Sequence, residues 1–428
     1  GVGIYSLTEP NDMRANRRQG AGGNSRALLL GLPAAVFLLA FYFYPLAAIL
    51  SRSFARSEAG PLAAFAAVLA SPGLRGVVWF TFWQAALSTL LTLLVGLPGA
   101  YLLARTRFPG QSLLRALTAV PFVLPALVVA AGFNALLGPR GWLNLALAAL
   151  HWPPLAFEGL PAILLAHVFY NTTIVLRVVG DFWGRLDPRL EAAARVLGAN
   201  RWRAFWQVTL PLISPAVGAA ALLVFLFDFT SFGVILVLGG PGFATLEVEI
   251  YRQTVGLFNL PAAASLALIQ LACTFGLTLL YTRLAGRLAR PLSLRPPAIT
   301  RRPLRSLRSR LWAGAILLLL LALLIAPLAA LAARSFIRLG VDRTEAGVGT
   351  PTYPRPGFTL DYYRELGINR RNSLFYVAPL AAVGNSLKVA AAATALALAV
   401  GLPAAWLVAA AHRPAYSLLE AALLLPLG

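Results

Sequence analysis

Long apolar runs alternate along this chain with short connectors that carry most of its arginines. Eight runs approach or exceed the roughly 20 residues needed to cross a bilayer as a helix. They fall near 27–50, 77–104, 116–137, 160–179, 212–238, 262–281, 311–333 and 385–411, and a ninth opens near 418. Prolines inside them, Pro45, Pro98, Pro121 and Pro125, are tolerable because neighbouring helices can satisfy the freed backbone groups. The pattern predicts an all-α fold, a polytopic transmembrane helical bundle.

Composition sharpens this. Of 428 residues, 59% are hydrophobic and 12% charged, and that charged share is about half that of a soluble domain. The net charge of +21 would suggest nucleic acid in a soluble protein. Here the arginines sit between apolar runs, so their pattern speaks of topology and of contact with membrane lipids, not of nucleic acid. With the N-terminus in the cytoplasm, inside segments hold 23 arginines and outside segments 12, seven of these in the long 334–384 loop. This predicts a multi-pass protein of the inner or plasma membrane with a cytoplasmic tail over 1–26.

The single cysteine, Cys273, lies in an apolar run, so no disulfide within the chain and no cysteine-rich metal site is expected. The histidines are His151, His167 and His412, and the only lysine is Lys388. Met13 is the only methionine and a candidate start, and Arg26 leads into a full-length span, not a cleavable leader.

Residues 96–121 recur without a gap at 401–426. Gly96-Leu97-Pro98 matches Gly401-Leu402-Pro403, Pro109 matches Pro414, Ser112-Leu113-Leu114 matches Ser417-Leu418-Leu419, and Pro121 matches Pro426. Compositional bias aligns leucines and alanines but not prolines, a glycine and a serine. The copies are six spans apart, so they run in the same direction, a tandem parallel repeat. The expected organisation is a first unit of about six spans over 27–290, a basic cytoplasmic linker over 291–310, and a second unit from 311 that stops early at Gly428, with the counterpart of everything after residue 123 missing.

One connector carries chemistry. In residues 187–211, Asp187 can cap a helix with Pro188 at its first position. The alanine-rich stretch 189–197 favours helix, and Gly198 can end it in a left-handed cap. A second short helix, Asn200 to Val208, places Trp202, Phe205, Trp206 and Thr209 at helical spacing before Pro211 opens the next span.

This connector resembles the coupling loop, or EAA motif, of binding-protein-dependent ABC importer permeases. In that family Glu-Ala-Ala is followed by three residues, Gly, nine residues, an apolar residue, any residue, then Leu-Pro. Gly198, Val208, Leu210 and Pro211 fit the spacing. The Glu-Ala-Ala positions fall on Ala192, Ala193 and Ala194, so Glu191 sits one place early, about 100° round the helix from the family's acidic position.

The resemblance implies a type I importer permease fold and no catalytic residues. It implies two copies of a separate ATPase that bind ATP and Mg, and an extracytoplasmic substrate-binding protein. No phosphate-binding P-loop surrounds Lys388, in keeping with a chain that binds no cofactor itself. The alternatives are a secondary transporter, which would not need the loop, and an intramembrane enzyme.

Phe82-Trp83-Gln84-Ala85, Leu165-Ala166-His167-Val168-Phe169-Tyr170-Asn171 and Leu238-Gly239-Gly240-Pro241 resemble fused thiamine-type permeases, with ferric iron as the alternative substrate. Asp228, an ionisable group within span five, is a functional candidate by default. Asn171, Gln84, Gln270, Thr230 and Ser231 could line the same pathway or simply bond between helices. His167 reads as a satisfied bundle residue and not a metal ligand. Glu247 and Glu249 lie near where a binding protein would dock, and could equally be solvated.

Overall fold

A computed structural model describes residues 31–55, 60–288, 300–338, 357–366, 368 and 377–410. The tail, Met13, most of the 334–384 loop, residues 411–426 of the second repeat copy and the ninth span lie outside them. The chain divides into two compact units, residues 1–53 with 363–427, and residues 54–362 with 428.

The helices, in chain order, are α1 (Gly31–Arg52), α2 (Gly60–Ala70), α3 (Pro72–Arg105), α4 (Gln111–Leu117), α5 (Val120–Val123), α6 (Ala126–Leu137), α7 (Trp142–Ala149), α8 (Leu160–Arg185), α9 (Arg189–Val196), α10 (Arg201–Phe229), α11 (Gly233–Leu238), α12 (Leu246–Tyr251), α13 (Leu260–Leu288), α14 (Leu307–Phe336), α15 (Asp361–Glu365) and α16 (Pro379–Ala410). Eight helical segments among the described residues are long and apolar enough to span a membrane. The chain is an all-α polytopic membrane protein.

Two predicted spans are interrupted. The run 116–137 breaks into α4, α5 and α6 at its prolines. Pro121 opens α5, and Leu124, which precedes Pro125, is extended at φ −74°, ψ 136°, because the proline ring crowds the α conformation of the residue before it. The run 212–238 ends at Phe229 and resumes as α11 at Gly233. There Ser231 turns its backbone carbonyl to the Thr245 hydroxyl (3.3 Å), so a tertiary partner replaces a helical one. A third difference concerns the short helix expected over 200–208. It is not separate: a five-residue π-turn over Phe205–Thr209 joins it to the following span.

The second unit is built around α3 and α8, which meet along a seam of small residues. A Cβ added to Gly96 would lie 2.7 Å from Val175 Cβ, and Gly180 and Gly184 rest against the backbone of Ala100 and Ala104. Within lipid there is no hydrophobic drive between helices, so close approach through small residues is the main source of association. Leu102, Leu103, Val175, Leu176, Val179, Ile213, Val224 and Leu320 fill the core beside this seam. Leu320 belongs to α14, the helix expected to open the second repeat. α14 also lies against α6, where Gly132 faces the Pro327 carbonyl.

At one end of the bundle two short strands, β1 (Thr106–Arg107) and β2 (Arg302–Pro303), pair in parallel with Thr106 opposite Arg302. The residues leading into α14 are thereby tied to the end of α3. Pro98 of α3 and Pro403 of α16, equivalent in the repeat, both lie inside their helices.

Candidate functional site

The connector between α8 and α10 is built by local chemistry. Asp187 Oδ1 accepts from the Arg189 amide (2.9 Å), starting α9. At the other end the Ala199 amide donates to Ala194 O (3.0 Å) and the Gly198 amide to Arg195 O (3.1 Å). Gly198 itself is left-handed, φ +91°. These two bonds are the paired closure of a Schellman cap, which turns the chain back without leaving carbonyls orphaned. Asn200 Oδ1 then accepts from the Arg203 amide (2.7 Å) and starts α10.

Between the two helices this turn presents apolar side chains to solvent. Val196 is 87% exposed, Leu197 88%, Trp202 68% and Trp206 50%. Ala192 and Ala193 are exposed, and Glu191 and Ala194 are half-buried. Trp202 lies 5.5 Å from Trp206 and 6.3 Å from Phe205, ring centre to ring centre. Phe205 turns the other way, to Trp183 of α8. Val208 and Leu210 are half-buried and Pro211 is exposed. Glu191 lines a small cavity with Tyr101, Arg105, Arg195, Thr300 and Arg302, so its carboxylate lies among arginines of its own chain.

The second constellation lies deep in the bundle. Asp228 is fully buried, with Oδ1 accepting from Asn171 Nδ2 (2.6 Å). His167 Nδ1 lies 3.4 Å from the same oxygen and 3.0 Å from Ser88 Oγ, and His167 Nε2 lies 2.9 Å from Ser231 Oγ. Gln84 Nε2 donates to the Asp228 carbonyl (2.9 Å). Thr81 accepts from the Leu246 amide (3.0 Å). Helices α3, α8 and α10 and the α10–α11 break thus meet at one polar knot. Asp228 Oδ2 and Gln84 Oε1 are buried and have no hydrogen-bond partner.

Four of the six pathway candidates, Asp228, Asn171, Gln84 and Ser231, come together here. Thr230 instead returns a bond to Leu226 O (2.9 Å). Gln270 sits elsewhere and donates to Glu247 Oε1 (2.7 Å). Neither Ser88 nor Thr81 is among the pathway candidates read from the sequence. Thr81, Gln84 and Ser88 follow one another at helical spacing in α3, a polar stripe in an apolar run, and that stripe was the available signal.

Glu247 and Glu249 are packed, not bathed. Gln253 donates to Glu249 (2.7 Å), and Glu249 is 6% exposed. Burial pushes the Glu247 carboxyl up to about 7 from its ordinary 4.5, with the Gln270 bond opposing. The folded state therefore holds this proton more tightly than the unfolded one. Its contribution is fully present below about pH 4.5 and is lost as pH rises through 7, up to about 3 kcal/mol. Glu247→Gln is expected to remove that slope from a detergent unfolding series between pH 4.5 and 7.5. An unchanged slope would count against it.

The bundle and its interrupted spans define the class: a multi-pass helical membrane protein with an exposed apolar turn. Residues 93–290 match the family described as binding-protein-dependent transport system inner membrane component. The chain is 36% identical over 262 residues to ThiP, the thiamine transport system permease protein of Escherichia coli (strain K12), an alignment covering 59% of this chain and 47% of the relative. It is 36% identical over 214 residues to the protein of the same description in Brucella abortus (strain 2308), covering 49% and 39%. With a probable ABC transporter permease of Sinorhizobium fredii it shares 31% identity over 375 residues, covering 85% and 62%. Its fold aligns, at TM-score 0.50 and 17% identity, with a bacterial ABC transporter involved in alginate import, covering 65% of this chain and 100% of that one. Residues 93–290 are thus similar to the inner membrane components of binding-protein-dependent transport systems, and the chain spans about half the length of the curated thiamine permeases it matches.

Proposed function

We propose that this chain is the membrane subunit of an ATP-driven importer, that its N-terminus is cytoplasmic, and that thiamine is its substrate. The observation that supports this most is the solvent-facing apolar turn at 187–211, with Gly198 at its bend. A membrane protein exposes Val196, Leu197, Trp202 and Trp206 together at a bundle end when a partner covers them. Tryptophans supply anchoring area in such pockets. The partner is a separate ATPase, two copies per transporter, which binds ATP and Mg. When the ATPases close, the docked α9 moves. Because α10 runs without a break from Arg201 into its span, displacement at the turn is carried along a rigid rod into the bundle.

The arginine bias of the connectors supports the cytoplasmic placement of this loop. In this reading the first permease unit covers 27–290, with residues 291–310 a basic linker to a second. The similarity to thiamine permeases supports the substrate, delivered by an extracytoplasmic binding protein. Asp228, Asn171, Gln84 and Ser231 form the polar gate through which a cation passes, with Thr230 and Gln270 flanking it. The test is to purify the chain with its ATPase and binding protein and measure ATP hydrolysis with thiamine or ferric iron added. Stimulation by thiamine alone is expected. Stimulation by iron would transfer the same mechanism to the other substrate, and stimulation by neither would remove both.

A further inference from the structure

The arginines near the β1–β2 strand pair are more numerous than the acids that could balance them. Arg115 sits in the last turn of α4, Arg177 and Asp181 are one turn apart on α8, and together with Leu103, Thr118 and Leu176 they line a cavity of about 210 Å³. Asp181 pairs with Arg115 at 3.5 Å. Arg301 joins from the segment before α14. Burial lowers its guanidinium from the ordinary arginine value, the positive charges of Arg115 and Arg107 push the same way, and Asp181 opposes them. Arg115 and Arg177 thus share the cavity with Asp181, and Arg301 lies within electrostatic reach of Arg115 and Asp181.

Two of those guanidinium groups are incompletely bonded. The Nε atoms of Arg115 and Arg301 are both buried and have no hydrogen-bond partner. A buried donor left unpaired costs about 1–3 kcal/mol, more when charged. Arg301 is also held in place from both sides. Thr300 Oγ1 donates to the Gly184 carbonyl of α8 (2.6 Å), and Arg302 pairs with Thr106 across the strands. The cavity exceeds by several-fold the roughly 30 Å³ share of one water, and its lining supplies the planar N–H forks that match phosphate oxygens.

We propose that this cluster, around Arg115, Arg177 and Arg301, binds a phosphate-bearing anion. Two sources share that chemistry: the headgroup of an anionic phospholipid and free phosphate. The lipid source rests on the orientation proposed above, which puts these residues at the cytoplasmic leaflet, where anionic headgroups gather against basic residues. Bound there, the anion would join α8, whose last turn leads directly into the 187–211 loop, to the segment that opens α14. Docking at the loop and the position of α14 would then be coupled through one ligand.

The test uses the purified full chain in nanodiscs of phosphatidylcholine, of phosphatidylcholine with phosphatidylglycerol, and of phosphatidylcholine with inorganic phosphate in the buffer. Melting temperature and retained phospholipid are read for the wild type, R115Q/R301Q, R301Q and the distant control R140Q. Phosphatidylglycerol is expected to raise the melting temperature of wild type and R140Q, with retention falling about fivefold per cluster arginine removed. A response to phosphate alone would identify the soluble anion as the source and keep the site, whatever the orientation. If R115Q/R301Q fails to fold, R301Q, whose side chain is half-buried, carries the comparison. Equal responses of R301Q and R140Q, or no response of the wild type to either anion, would overturn the proposal.

Discussion

Replacing Gly198 with valine is expected to reduce ATP-driven uptake at least about tenfold, since about 1.4 kcal/mol of lost coupling already corresponds to that factor, while leaving the chain inserted and folded. The argument is conformational. Gly198 has φ +91°, and a Cβ built on it meets nothing within 4 Å. Crowding is therefore not the problem. An L-residue in the left-handed region costs roughly 1–2 kcal/mol, and a β-branched one is among the worst placed there. The cheaper response is for the turn to rotate out of that region. The Ala199 and Gly198 amides would then leave Ala194 O and Arg195 O, and α9 would point elsewhere relative to Trp202 and Trp206.

Gly198→Asn separates this from a general loss of stability, because asparagine tolerates the left-handed conformation. Uptake by reconstituted vesicles should stay near wild type for asparagine and collapse for valine, with equal capture of binding protein in both. Normal uptake by the valine variant would remove the turn from the coupling path.

The positions of the spans followed from long apolar runs, and the cap at Asp187 and the left-handed glycine were legible because each is decided by residues within about one helical turn. Asp187, Gly198 and Asn200 act on amides no more than five positions away. What escaped was decided at a distance. The break after Phe229 depends on Thr245 meeting Ser231, and nothing local in the leucine- and valine-rich run forces it. The β1–β2 pair joins residues nearly 200 positions apart through backbone atoms alone, so no side-chain pattern announces it. Glu191, one residue early against the family spacing, lines a cavity among Arg105, Arg195 and Arg302, two of which come from distant segments that no local pattern could name. The polar residues of the knot stood out one by one against apolar surroundings, but which of them would meet was a tertiary matter. Gln270 shares the composition of Gln84 and ends up with Glu247 instead.

Asp228→Asn is the second large effect expected, and it separates charge from shape. The asparagine keeps an oxygen for Asn171 to donate to, and its size matches, so packing against Gln84 and His167 changes little. What it removes is the anionic form, and it puts an NH₂ where Oδ2 now lies buried without a partner. On the proposed function, a cationic substrate would lose the one carboxylate in the knot. Loss of a charged hydrogen-bond partner costs about 1.5–3 kcal/mol, so substrate-stimulated ATP hydrolysis should fall by a factor on the order of 10–100.

Asn171→Leu makes the opposite comparison. It leaves the carboxylate in place but strips its 2.6 Å donor, and an unsatisfied buried acceptor costs about 1–3 kcal/mol of stability. The asparagine at 228 should therefore lose stimulation with little change in melting temperature, while the leucine at 171 should lower the melting temperature by several degrees. If Asp228→Asn instead unfolds as readily as Asn171→Leu and is stimulated by substrate as strongly as wild type, the carboxylate is a structural joint and the cation passes elsewhere.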